Sequence, residues 1–471
     1  MLIIWRMKML NKIKRTIKIF ILSIICILIA NSGFTNVEAK SFDNIKKLDL
    51  LLNENVNIQK ITHDIKGINP NIQITEYDEI SLLHLELPVE VSPNDILTNK
   101  SIKNKIELVG NTPDVKLNKK DLGNSIYLKN AVIGESQTYS KQSISDINTF
   151  DSKGWHVDEV TEKRKSFDIS KGKGAKIALI DSGVDYNHPL LTNSIDLTNA
   201  KSFVEGNSSV SDTNGHGTMV AGIIRQVAPD ARIIPYRVMG DSTGESLWTI
   251  DAIIQAVKDG NDIINASLGT YKDEDIENDK LIIEAFNRAI NYARKNNVIV
   301  IASAGNNGLD LSEYYNNEHI KHLPGNIDGV NTVSAVRNNQ LTSYSNYGVN
   351  IQYCAPGGDL VYLDGKVDLR NWIYCIYPTN LDNGLSHLGV PQGYSFSFGT
   401  SFSAPLVSAG AADILSYYRS VRNNKDIKSY EIEDALAKGA EDLGEKGQDS
   451  FYGKGKINIY NSLINITQTK K

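Results

Sequence analysis

Beyond Trp155 the chain alternates apolar runs with stretches of helical periodicity. "AKIALIDS" (175–182), "ARIIPYRVM" (231–239), "NDIINASLG" (261–269) and "NVIVIASAG" (297–305) are near-continuously apolar, as strands covered on both faces must be. Between them, residues 217–226, 247–259 and 281–296 repeat apolar positions at helical spacing. This alternation predicts an α/β fold, a parallel sheet with helices on both faces. Ligands of such sheets bind beyond the carboxyl ends of the strands, so chemistry is expected just past each apolar run.

The region ahead of this pattern is different. Residues 42–109 show short elements: a helical pattern over 56–66, strand-like "NIQITEY" (71–77) and "SLLHLEL" (81–87), and a further helical stretch over 94–105. They predict a small α+β unit spanning residues 40–110. Residues 111–152 are polar and rich in Ser, Gly and Asp, and read as a flexible linker to a larger domain over 153–471. At the start, Lys8, Lys12, Lys14, Arg15 and Lys18 precede the apolar run "IFILSIICILIA" (19–30), and the small-residue pattern "VEA" ends at Ala39. The run is shorter than the roughly 20 residues a membrane span needs, so residues 1–39 read as a cleaved signal peptide rather than a retained anchor. The mature protein is then expected to be secreted and extracellular, with no stable membrane anchor.

Composition narrows the classes further. The chain has 471 residues, 41% of them apolar, and a net charge of -5, which gives no electrostatic basis for binding nucleic acid. Of three cysteines Cys26 leaves with the signal. Cys354 and Cys375 make no disulfide framework, and are either one bridge or two buried thiols.

Four polar residues sit at the ends of the apolar runs or in glycine-led bends. Asp181 follows "IALI", His216 lies in "NGHGTMVAG", Asn306 in "ASAGNNG" and Ser401 in "FSFGTSFSAP". Each alone has a structural role open to it, as a turn cap, a helix-start residue, a turn amide or one hydroxyl in a bend. Together they supply an acid to orient, a base, a nucleophile and an oxyanion donor.

With "DSGVD", "HGTMVAG", "SAGNNG" and "GTSFSAP" in the order acid, histidine, serine, the sequence resembles the subtilisin-like serine proteases from about Trp155 to its end. The resemblance implies the subtilisin-like sheet preceded by an α+β pro-domain that acts as an intramolecular inhibitor, and self-cleavage in the linker. It casts Ser401 as nucleophile, His216 as general base, Asp181 as its orienting acid and Asn306 as the side-chain donor of the oxyanion hole. "GDSTG" (240–244) and "NASLG" (265–269) resemble the two segments that pair with an extended peptide substrate. The binding candidates are therefore Gly240, Ser267, Leu268 and Gly269, with Ser303, Ala304 and Gly305 leading into Asn306. "HLPG" (322–325) resembles the stretch near the first specificity pocket, and Leu323–Pro324 is a candidate cis bond.

One departure concerns calcium. "HGTMVAGIIRQVAPD" runs without the interruption that holds a tight calcium in many secreted members, and His188-Pro189 is followed by Leu190 and Leu191 instead of an aspartate. That site is expected to be absent, no cofactor is required, and weaker calcium sites stay open. The overall layout is similar to the lantibiotic leader peptidases, which implies a peptide or precursor-protein substrate and often an arginine before the cut. A carboxylate for such an arginine would come from Asp310 or Glu313 in "GLDLSEYYNNEHIKH" (308–322). The competing expectations are a degradative secreted protease and a noncatalytic binding module on the same scaffold.

Overall fold

A computed structural model describes residues 47–111, 115, 116, 131, 132, 150, 153–240 and 243–468. The predicted signal peptide, most of the predicted linker, and Asp241 and Ser242 lie outside the described residues.

The first unit runs β1 (Lys47–Leu52), α1 (Ile58–Ile68), β2 (Gln73–Tyr77), β3 (Leu82–Glu86), α2 (Pro93–Leu97) and β4 (Ile106–Gly110). Its strands form an antiparallel sheet in the order β2-β3-β1-β4. Asn57 caps α1 by accepting from the Lys60 N–H, and Ile58, Ile61 and Ile65 give the helix one apolar face. That face packs on Leu48, Leu50 and Leu52 of β1, while Leu51 and Leu82 turn to the opposite side and join a core shared with the second unit. Both faces of this small sheet are thus covered. Asp49, the polar residue in β1, is buried and bonds the Nδ1 of His84 at 2.6 Å on the neighbouring strand.

The second unit carries β5 (Lys176–Asp181), α3 (His216–Val227), β6 (Arg232–Arg237), α4 (Ser246–Lys258), β7 (Ile263–Ala266), β8 (Thr270–Asp273), α5 (Glu277–Lys295), β9 (Ile299–Ser303), α6 (Leu311–Glu318), β10 (Ile320–Leu323), β11 (Asn331–Arg337), β12 (Ile351–Pro356) and α7 (Thr400–Ser420). Across the main sheet the order is β6-β5-β7-β9-β11-β12, every neighbour parallel. Short edge strands at Lys201–Ser202 and Gln340–Leu341 complete it. The near-continuous apolar runs now have a reason. Ile177, Leu179, Ile263 and Ile301 face α3 and α7, whereas Ala178, Ile180, Ile264 and Ala302 face α4 and α5.

The units meet along α5. Arg288 donates to the carbonyls of Leu52 (2.8 Å) and Ile80 (3.0 Å) and pairs with Glu107 at 2.6 Å. The Asn111 N–H donates to Asn278 at 3.0 Å, and Lys258 on α4 pairs with Glu79 at 2.7 Å. Val115–Lys116 also reaches the second unit, pairing antiparallel with Thr243–Gly244. Farther on, Ala131–Val132 lies parallel to Val367–Asp368.

Candidate active site

The chain leaves β5 for β6 on one side and then crosses to β7 on the other, so the strand order reverses at β5. A crevice at the carboxyl ends of the strands is the geometric result. Asp181 ends β5, Ser267 follows β7 directly, and Asn306 lies three residues past β9. The two helices on this face begin at the same crevice: His216 is the first residue of α3 and Ser401 the second of α7. The fold therefore brings all four predicted residues to one place.

Asp181 is fully buried and bonds His216 Nδ1 through Oδ1 at 2.8 Å, an oxygen that also accepts the Ser182 N–H at 2.7 Å. With Nδ1 donating to the carboxylate, Nε2 is left as the acceptor. Burial alone lowers the imidazole pKa, but the Asp181 charge, the Asp181 hydrogen bond and the charge of Asp212 outweigh it, and the net direction is upward from 6.5. Asp212 was not foreseen. Its buried carboxylate accepts from Ser182 Oγ (2.9 Å), the N–H groups of Asn214 (2.9 Å) and Gly215 (2.8 Å), and both the N–H and hydroxyl of Thr218 (2.9 and 2.6 Å). It ties the end of β5 to the turn carrying His216. An acid four residues ahead of the histidine, in "DTNGH", was the available signal.

The Ser401 hydroxyl donates to the carbonyl of Ser267 at 3.0 Å. Asn306 is exposed, but its Oδ1 is fixed by the N–H and the hydroxyl of Thr400, each at 2.9 Å. The Thr400 hydroxyl oxygen in turn accepts the Gly305 N–H at 3.1 Å. The acceptor side of the amide is occupied, so the donor side is what remains for a ligand beside Ser401. Gly399 makes this approach possible. Its φ is +139°, and a Cβ there would stand 3.2 Å from the Asn306 Nδ2. Asn346 holds the loop behind, accepting from the N–H groups of Asn307 and Leu309 and donating to the Ala304 carbonyl at 2.8 Å.

Of the binding candidates, Ser267, Ser303 and Ala304 are buried walls, Leu268 and Gly305 are half-buried, and Gly269 is exposed. Gly240 is buried at the end of a segment whose Thr243 and Gly244 already carry a strand from the preceding chain. The peptide bond Leu323–Pro324 is cis. Of the two acids named for an arginine, Asp310 is the N-cap of α6, accepting through Oδ1 from the N–H groups of Ser312 and Glu313, and Glu313 lies exposed on the first turn. Cys354 and Cys375 are both free and buried, so the single-bridge alternative is not formed. α3 runs uninterrupted from His216 to Val227. Among the described residues no helix is long and apolar enough to cross a membrane.

Comparison with known proteins gives a consistent picture. The family described as the subtilase family matches residues 172–455. The epidermin leader peptide-processing serine protease of Staphylococcus epidermidis is 29% identical over 425 residues, covering 82% of this chain and 90% of that protein. A lanthipeptide protease of known structure is 36% identical and covers 68% of this chain and 96% of its own, with a TM-score of 0.64. The epidermin leader peptide-processing protease from Staphylococcus aureus is 26% identical, covers 90% of this chain and 99% of its own, and has a TM-score of 0.70.

Proposed function

Since the chain belongs to the subtilase family and is a serine endopeptidase, we propose that it removes the leader from a lantibiotic precursor after export, using Asp181, His216 and Ser401 as a triad. His216 Nε2 takes the Ser401 proton as Oγ attacks the carbonyl carbon before the cut. The oxyanion then meets the Asn306 amide and the Ser401 N–H, donors already in place and needing no solvent to reorganise. His216 returns the proton to the departing amine, the acyl-enzyme remains on Ser401, and water removes it by the same steps in reverse. Asp181 holds the Nδ1–H of His216 and stabilises the imidazolium.

The leader-peptidase reading is supported by the kind of relative: a lanthipeptide protease of known structure is 36% identical to this chain, and an epidermin leader peptide-processing protease matches 82% of it. In this reading residues 47–111 belong to a pro-domain, and the strand Val115–Lys116 sits where a substrate strand would pair with Thr243–Gly244. The enzyme needs no tight calcium. The test is a parallel digestion, in the presence of EDTA, of unfolded casein and of an extended leader peptide carrying a randomised junction. One preferred cut in the leader, unaffected by EDTA, is expected. Rapid, scattered cleavage of casein with no preference for the leader would leave a degradative protease instead.

Asn306→Ala is expected to lower kcat by about 10²–10³ with KM nearly unchanged, because the amide engages oxygen mainly in the transition state. Steady-state kinetics on one peptide suffice, and a wild-type kcat would remove Asn306 from the mechanism.

A further inference from the structure

The two segments that converge on Ser401 each carry a glycine, Gly269 and Gly305. Ser267 accepts the Ser401 hydroxyl, and Gly305 donates to the neighbouring Thr400. A Cβ on Gly269 would stand 2.2 Å from the Nε2 of His322, and one on Gly305 would stand 3.1 Å from the same nitrogen and 2.4 Å from the Nδ2 of Asn346, so His322 presents Nε2 to both glycines. His322 lies opposite Tyr271 in the β8–β10 ladder, with ring centroids 5.0 Å apart, and is 3% exposed.

The ring's hydrogen bonding is incomplete. Its Nδ1 is buried without a partner, and the nearby Tyr271 hydroxyl is taken by Asn307 and Asn346. A buried lone pair is tolerated better than a buried orphan N–H, so the proton belongs on Nε2, the nitrogen at the two glycines. Burial pushes the imidazole pKa down to about 4, which keeps the ring neutral in the free enzyme. Of the two acids named for an arginine, Asp310 caps α6 through Oδ1 and Glu313 faces solvent. An arginine side chain reaching His322 would meet a neutral hydrogen-bond donor in place of a counter-charge.

We propose that His322 selects the substrate residue before the cut, and that this residue ends in a hydrogen-bond-accepting carboxyl or carboxamide, glutamate being the most favoured. Nε2–H donates to the side-chain oxygen, and a carboxylate makes the stronger bond because it is charged. The sequence agrees from an independent direction: there is no arginine between Arg15 and Arg164, so self-cleavage anywhere in the linker cannot follow one. The inference rests on the serine-endopeptidase reading of the same site.

The test compares kcat/KM for peptides identical except for Glu, Gln, Leu or Arg before the cut. Glutamate is expected to exceed arginine by about 10²-fold, with glutamine between them. His322→Ala should lower the glutamate rate at least about tenfold while changing the leucine rate less than about threefold, and His322→Gln, which restores a donor, should recover part of the loss. The wild-type series decides the matter even where a variant fails to fold. Arginine cut as fast as glutamate, or an unchanged glutamate preference in His322→Ala, overturns the proposal and leaves the protease reading intact. Cleavage of none of the peptides and of no casein overturns that reading, and the proposal with it.

Discussion

Ser401→Ala is expected to lower kcat by about 10⁶-fold and to leave the chain in one piece. The substitution removes the hydroxyl proposed to attack the substrate carbonyl. The Thr400–Asn306 bonds and the Ser267 wall do not depend on the hydroxyl, so peptide affinity should survive the loss of turnover. The same variant reports on processing. If the enzyme cuts its own linker, purified Ser401→Ala runs as a single unprocessed chain whereas the active protein separates into two parts. Electrophoresis and intact-mass measurement from a protease-deficient host distinguish these outcomes. Identical splitting of both proteins would assign the cut to another protease and remove self-processing from the account.

Asp181→Asn should cost about 10⁴ in kcat near neutral pH. An asparagine keeps the shape of the carboxylate and can still bond His216, but its amide donates to Nδ1. The ring proton then sits on Nε2, where it cannot receive the Ser401 proton. The Asp181 charge and hydrogen bond that raise the imidazole pKa also disappear, leaving burial, which lowers it, opposed by the smaller effect of the Asp212 charge. In the wild-type enzyme His216 must be neutral to act, so kcat/KM rises with pH through a midpoint above the ordinary value of 6.5. In Asp181→Asn that midpoint moves to lower pH. A pH profile of kcat/KM for both proteins checks the sign, and an unmoved midpoint would mean that Asp181 does not govern the base.

The parts of the site legible in the sequence are those where local residue type and position agree. Asp181 directly ends an apolar strand, and His216 and Ser401 begin helices after glycine, so chemistry and element boundary coincide in the chain itself. The four leading strands of the main sheet were legible for the same reason, being apolar on both faces. β11 and β12 escaped notice because "NTVSAVR" and "IQYCAP" mix Asn, Ser, Gln and Thr into buried positions, and such residues are satisfied only by distant partners. Ser334, for instance, donates to the carbonyl of Phe451. β1 was missed similarly, since Asp49 breaks its apolar run and is matched by His84 from another strand.

The supporting residues were illegible for a related reason. Nothing in the sequence around Thr400 marks its hydroxyl as the bridge between Gly305 and Asn306. His322 stood inside a recognised stretch, but its meaning depends on two glycines, 53 and 17 positions earlier in the chain (322 − 269 and 322 − 305). The arginine expectation came from kinship, whereas the side chain set against the two glycines is His322. Side-chain partners that are remote in sequence are set by topology, and no local pattern encodes them.

The most direct measurement of the central claim is peptide mapping by mass spectrometry after treating the mature protein with a fluorophosphonate, which phosphonylates a serine only where a base activates it. The account predicts a single adduct, on the peptide containing Ser401, with hydrolytic activity lost in proportion and no adduct in His216→Ala. An unlabelled Ser401, or an adduct on a different serine that tracks the loss of activity, would contradict it.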